Sequence, residues 1–329
     1  MADSRHLKIL SLGAEAVSVW KQQHPAQVLD LSHSDLRAFD LSFFDLAYAN
    51  LTEAKLDGVD LRSANLDHAV LSHASLKSAD LREASLGRAR LDHAILSNAD
   101  LEDVDARGAS FSWSNLVGAN FRRANLNFAE LISADLTGSC CSEARFDDAI
   151  LTKARMTRAS ARGASFLRSD LVGVCLREAQ LTEAKFPDAR LIHADLSAAV
   201  LHAAELGDVE VSQLTQADLT DANLAGARLI ESTLDGADLQ RAQLNHADLR
   251  GADLRGADLT DADLTNANLN GTRLDNVRVP CMEFWDTLVA TTHAPLQPEI
   301  LQSRWKVIAN STLYGHPSYY LRERRIVSA

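Results

Sequence analysis

The 329 residues carry 45 acidic and 33 basic side chains, a formal charge of −12, with 46% hydrophobic residues but only 5% aromatics. That balance excludes a general nucleic-acid binder, since neutralising phosphates takes Lys and Arg, and the few aromatics exclude a large aromatic core. Cys140, Cys141, Cys175 and Cys281 lack metal-ligand spacing, no apolar run nears the ~20 residues of a membrane span, and no signal-peptide pattern opens the chain; a reduced, cytoplasmic protein is expected.

The first predicted element lies within residues 1–29. Ser4 is placed to cap a helix over residues 4–22, in which Leu7, Leu10, Ala14, Val17 and the nearby Trp20 recur at helical spacing. Pro25 breaks it.

From residue 30 to 279 one period dominates. Leu31, Leu36, Leu41, Leu46, Leu51 and Leu56 fall five apart, and the beat runs on to Leu206. Nearly all these centres are Leu or Phe, with Ala106, Cys141, Met156 and Ala161 as exceptions. Two positions before a centre stands a small residue, as at Ala49, Ala54, Val59 and Ala64. After residues 207–213 the beat resumes at Leu214 and continues to Val279.

A period of five is not helical, because successive centres would stand about 140° apart around the cylinder and share no face. In an extended segment, residues two apart share a face, so the small residue and the Leu of one repeat point the same way. Five is odd, so an uninterrupted strand would turn every second centre outward. A corner between repeats must reset the phase, and the chain must coil about an axis with small and large residues inside. The open ends of such a coil expose unpaired strand edges and need covering, which assigns the first helix a capping role.

The strings "ADLRE", "ANLDH" and "ADLTD" carry the pattern outside the core. Over residues 30–279 the sequence resembles the pentapeptide-repeat family. The resemblance implies an all-β solenoid: a right-handed quadrilateral β-helix with four repeats per coil, roughly 60 Å long at ~4.8 Å per coil. Stacked coils place residues twenty apart in columns. Phe146, Phe166 and Phe186 then form an internal aromatic stack. His33, His73, His93 and His193 share an exterior column interrupted by Glu53 and Trp113, and are expected to be solvated rather than metal-binding. Lys153, Arg155, Arg158, Arg162 and Arg168 spread around all four sides and form no basic patch.

The acidic residues are more ordered. Asp40, Asp60, Asp80 and Asp100 make one column, and Asp218, Asp238 and Asp258 a second, flanked by Asp221 and Asp261 with Arg241 between. Residues 30–279 hold 39 Asp and Glu against 25 Lys and Arg. Two readings stand. Asp before the centre can be a consensus residue that hydrogen-bonds locally, or the columns can imitate the phosphate rails of DNA. Residues 207–213, where eight steps replace five between centres, read as a bulge at one corner, either a simple insertion or a recognition loop.

The last segment, 280–329, leaves the beat at Pro280 and concentrates Trp285, Trp305, Tyr314, Tyr319 and Tyr320. "MEFWDTLVA" and "PEILQSRWKVIAN" read as two short helices, the second opened by Pro298 and Glu299. A largely helical cap is expected, alone or combined with a dimer contact made by those aromatics.

No phosphate-binding Gly loop, zinc-type Cys/His pairing or nucleophile elbow occurs. The expectation is a protein without catalysis, cofactor or metal. The resemblance to gyrase-protecting family members implies a DNA mimic acting on DNA gyrase or topoisomerase IV, as a homodimer joined at the C-terminal end, that confers protection from or self-immunity to a topoisomerase poison. The alternative is a scaffold with an unrelated protein partner.

Overall fold

Among the described residues, each repeat ends its straight side at the buried centre and turns on the two residues after it. In the repeat of Leu96, Ala99 donates its N–H to the Leu96 carbonyl at 3.0 Å, and Asn98 takes φ 56°. A turn with positive φ at its third residue normally asks for Gly or Asn there. Most such corners here carry an ordinary side chain, as at His73, Glu83, Arg88 and Trp113. Val, Ile and Thr are absent from this position in all repeats, whereas the position before it accepts Thr52, Val117, Ile132 and Pro187. A left-handed backbone is a genuine outlier for a β-branched residue, so the exclusion marks the corner.

These corners belong to a computed structural model that describes residues 4–202, 204, 206, 214–279, 305–310 and 318–323, the last two segments as backbone. The chain divides into two compact units, Met1–Asp170 and Leu171–Ala329.

In the first unit, parallel bridges join residues twenty apart, from Asp30↔Asn50 through Asp40↔Asp60 to Ile150↔Asp170. Twenty residues with a corner every five make four sides per coil. Leu91 and its equivalents are fully buried, as are Ala94 and its equivalents. Each buried Leu contributes about 1.5–3 kcal/mol, against about 1–2 kcal/mol for a left-handed corner without glycine, so burial outweighs the corner wherever a Leu stands at the centre. Phe146 and Phe166 stack inside at 5.0 Å with planes 3° apart. Phe186, in the second unit, is fully buried too.

Two helices precede the coil, α1 (Ser4–Leu10) and α2 (Ala14–Gln23). The single helix expected over 4–22 is therefore broken. Gly13 takes φ 100°, which an L side chain rarely adopts, and α2 restarts immediately after it. Leu10 and Val17 are buried. Asp30 donates its N–H to His6 Nδ1 at 2.9 Å, and Lys21 Nζ reaches Asp45 Oδ1 at 2.6 Å, so both helices are tied to the first coil.

In the second unit the register is again twenty, in Cys175↔Asp195 and Asp218↔Asp238, except across the slip. There Asp195↔Asp218 and Val200↔Asn223 are twenty-three apart. The three extra residues are absorbed within one coil: Leu206 N–H still bonds the Arg228 carbonyl at 2.7 Å, and Leu214 N–H the Thr233 carbonyl at 2.8 Å. Residues 207–213, read as a bulge, lie outside the described residues.

The coil ends at β1 (Arg278–Val279), which pairs antiparallel with β3 (Ser318–Glu323), and β3 pairs antiparallel with β2 (Trp305–Asn310). The helix expected through "PEILQSRWKVIAN" is thus corrected over residues 305–310, which form a strand. Val307 and Ile308 are β-branched and favour it, and a coil edge is satisfied by backbone partners that a helix cannot offer. Trp305 stands opposite Glu323, Tyr319 opposite Val279 and Ala309, and Tyr320 opposite Arg278 and Ile308. Trp285, Tyr314 and the helix expected over "MEFWDTLVA" lie outside the described residues. Among the described residues, no helix is long and apolar enough to cross a membrane.

Candidate interaction surface

The acidic columns originate in the backbone. In the repeat of Leu61, Ala64 N–H closes the turn on the Leu61 carbonyl. Leu61 and Ser63 donate to Asp80 and Arg82 carbonyls of the next coil, and the N–H before the next centre, Asn65, goes to Phe44 of the previous one. One donor is left, that of Arg62, and it bonds Asp60 Oδ1 at 3.0 Å. The same bond recurs from Ser42 to Asp40, Arg82 to Asp80, Glu102 to Asp100, Thr220 to Asp218, Gln240 to Asp238 and Thr260 to Asp258. Buried or half-buried backbone donors need partners. Asp or Asn before the centre supplies one, so the consensus residue has a physical task.

The carboxylates retain a second oxygen, and its partner decides the surface charge. In the first unit, Asp60 and Asp80 hold Arg62 and Arg82 at 2.6 Å, and the same arginines lie 3.6 Å from Asp80 and Asp100 respectively. Asp60, Arg62, Asp80, Arg82 and Asp100 thus alternate in sign up one face. Asp40 is bound by the Ser42 hydroxyl, and Asp100 by Asn120 Nδ2 at 2.8 Å. The sequence signal for the arginines is the triplet Asp-x-Arg: Asp35–Arg37, Asp105–Arg107, Asp248–Arg250 and Asp253–Arg255 pair in the same way. The number and columns of the acids alone do not reveal this interleaving.

In the second unit the compensation is thinner. Asp221 is paired with Arg241 at 2.7 Å and Asp258 with Arg278 at 2.9 Å. The Asp218 carboxylate accepts the Thr220 N–H, and that of Asp238 the Gln240 N–H and Nε2; neither makes a direct ion pair among the described residues, Arg177 and Arg241 acting on them only at longer range. Asp261 is exposed at a corner with φ 59°.

The paired acids titrate low. Hydrogen bonding to Arg37 holds Asp35 at about 2, and Arg62, Arg82, Arg241 and Arg255 likewise lower Asp60, Asp80, Asp221 and Asp253. Asp40 is lowered by the Ser42 hydroxyl. A folded value below the unfolded one of about 3.9 contributes stability above that pH and loses it as pH falls through the folded value. Melting temperature should therefore decline from about pH 4 toward pH 2, and Arg82→Gln should flatten that decline relative to wild type.

The exterior histidines do not stand alone. His33 pairs with Glu53 at 3.2 Å, and His73, His93 and Trp113 stack at 4.9 and 5.3 Å, so Trp113 continues the histidine column rather than interrupting it. His193 belongs to the second unit. Of the basic run, Arg155 lies 3.8 Å from Asp135 and Arg168 2.7 Å from Asp148. Among the described residues, no group of three or more His, Cys, Asp or Glu could hold a metal ion. Cys141, fully buried at a centre, has its thiol pushed up to about 12 by burial.

A four-sided parallel coil, with five-residue sides and an Asp or Asn closing most corners, defines a repeat solenoid that presents flat exterior columns. The pentapeptide-repeat family model matches in eight copies, over residues 30–63, 45–82, 84–123, 107–140, 139–177, 175–209, 212–251 and 242–278. The chain belongs to the pentapeptide-repeat family, whose members form right-handed quadrilateral β-helices. Among solved structures it is similar to HetL, a pentapeptide repeat protein involved in heterocyst differentiation regulation in the cyanobacterium Nostoc sp. strain PCC 7120. The identity is 29% over 79% of this chain and 95% of that one, with a TM-score of 0.33. It is also similar to trypsin-treated QnrB1, a plasmid-mediated fluoroquinolone resistance protein, at 21% identity over 52% of this chain and 84% of that one, TM-score 0.37. A pentapeptide repeat protein of the Arabidopsis thaliana thylakoid lumen shows 28% identity over 30% and 63% of the two chains, TM-score 0.23. No curated protein matches the chain.

Proposed function

We propose that this chain is a non-catalytic, cytoplasmic interaction protein that mimics DNA toward DNA gyrase or topoisomerase IV and protects the enzyme from a poison. The observation that carries the reading is the column of Asp218 and Asp238, one coil apart, whose carboxylates make no direct ion pair among the described residues although Arg177 and Arg241 stand nearby, with exposed Asp261 beside it. Carboxylates repeating at about 4.8 Å per coil approach the spacing of one DNA strand, about 3.4 Å per phosphate. The family resemblance supplies the partner, and a basic DNA channel supplies the complementary field. A homodimer through residues 280–329 belongs to the same proposal. Sheet order β1-β3-β2 leaves β2 at an edge among the described residues, where strand addition from a second copy can occur.

Gyrase supercoiling measured with a quinolone or a peptide poison tests the reading, alongside direct binding at low and high salt. Wild type should restore supercoiling and bind with a steep salt dependence. Asp218→Asn, Asp238→Asn and Asp258→Asn combined should weaken binding without changing the circular dichroism, because Asn keeps the Oδ1 that closes each corner. Absence of wild-type binding to both enzymes at low salt sinks the mimicry. A scaffold with another partner would then stand first. The first unit favours that second reading, since its carboxylates alternate with arginines while Phe43, Tyr48, Trp113 and Phe128 are exposed.

A further inference from the structure

One exterior column of the first unit is a ladder with an empty rung. Tyr48 and His68 stack at 4.7 Å with planes 2° apart. Arg88, Gly108 and Phe128 follow at steps of twenty, in successive coils joined by bonds from Arg88 N–H to the Arg107 carbonyl and from Gly108 N–H to the Asn127 carbonyl, both 2.9 Å. At Gly108 the side chain is missing. A groove of about 470 Å³ opens there, with His68 and Arg88 on one side and Phe128 on the other. That volume lies within the roughly 300–1,000 Å³ of small-molecule sites.

The slot has a defined height. Arg88 and Phe128 are two coils apart, about 9.6 Å at about 4.8 Å per coil, which admits one planar group at stacking distance from both. The neighbouring column, where His93 lies between His73 and Trp113, shows the filled arrangement. Phe128 is 63% exposed and has no ring partner among the described residues.

The charges also point to a ligand. Asp105 is held by Arg107 Nε at 2.8 Å and Nη2 at 2.7 Å. Asp67 Oδ1 accepts the Gly87 N–H at 2.8 Å and the Ser85 hydroxyl. Both acids that line the groove are thus engaged within it. Arg88 has no carboxylate partner among the described residues.

We propose that the vacant rung at Gly108 binds a planar aromatic carboxylate, its ring against the Phe128 face and its carboxylate accepting hydrogen bonds from Arg88. Stacking and a charge-assisted bond act together in a groove where Asp105 is neutralised by Arg107 and Asp67 is held by neutral donors, leaving Arg88 as the guanidinium that has no carboxylate bound to it among the described residues. The site is independent of the topoisomerase reading.

The test is titration of the full chain with 2-naphthoate and with uncharged 2-naphthamide, followed by NMR line broadening. A Cβ at Gly108 would meet only Arg88 Cγ, at 3.5 Å, and Arg88 and Phe128 already carry side chains at φ 54° and 62°. Gly108→Tyr should therefore fold, fill the rung and abolish saturable binding. Phe128→Ala, a residue that the Ala198 corner shows to be tolerated, should weaken binding of acid and amide alike. Arg88→Gln should cost the acid about tenfold in affinity and leave the amide unchanged. The proposal is overturned if wild type shows no saturable naphthoate binding at millimolar concentration, if Gly108→Tyr binds as well as wild type, or if acid and amide bind equally.

Discussion

Leu91→Asp is expected to lower the unfolding free energy by about 4 kcal/mol or more, while Ser97→Asp, six residues on, stays within about 0.5 kcal/mol of wild type. Leu91 is fully buried, in a column that places Leu71 one coil before it and Phe111 one coil after, both fully buried apolar residues. A carboxylate placed there loses its water and gains nothing in return, the case in which burial of an unpaired charge dominates. Ser97 is the first corner residue after Leu96, half-exposed, with Lys77 one coil before it. Urea denaturation of the two variants, followed by circular dichroism, measures the contrast. Similar losses at both positions would mean that the interior and exterior of the coil are wrongly assigned.

The second large effect lies in two adjacent residues of a single corner. Asn98→Val should destabilise by about 2 kcal/mol or more, because a β-branched side chain is forced into φ near 56°. Ser97→Val should be nearly silent, since Val117 occupies the equivalent place in the next coil. Both substitutions introduce the same residue on the same exposed turn, so hydrophobicity and bulk cancel between them. Equal stability of the two variants by denaturant midpoint would remove the backbone explanation for the absence of Val, Ile and Thr at this position.

The coil was legible because its determinants are local and periodic. Leu at every fifth place and Ala two before it state which side chains go inside, and steps of twenty correctly bring Phe146 over Phe166. The helix over 4–22 was legible as helix but not as two pieces, since the break depends on the backbone angle of Gly13 and apolar spacing continues through it. At 305–310 the reading rested on the helix-starting Pro298 and Glu299. The outcome instead follows the pairing of β2 with β3, and of β3 with Arg278 and Val279, a long-range arrangement with no local signature. The acidic columns were legible as positions, and their charge was not. Arg62 and Arg82 stand in the same triplets as Asp60 and Asp80, but only the fold shows each guanidinium bridging two coils. The stacked His73, His93 and Trp113 were within reach of the same column arithmetic, had Trp113 been read as a member of the column.

The leftover N–H at each corner has a consequence for how such a protein can vary. Asn50, Asn65, Asn115 and Asn223 close their turns through Oδ1 just as Asp60, Asp80 and Asp218 do. The two residues are isosteric and interchangeable as acceptors, and they differ by one unit of charge. Electrostatic potential on this exterior is therefore a free variable, written corner by corner without disturbing the coil beneath it. A lineage can move from neutral to strongly acidic along any chosen column by single substitutions that each leave stability nearly untouched, so selection for a charged partner meets little resistance from the fold.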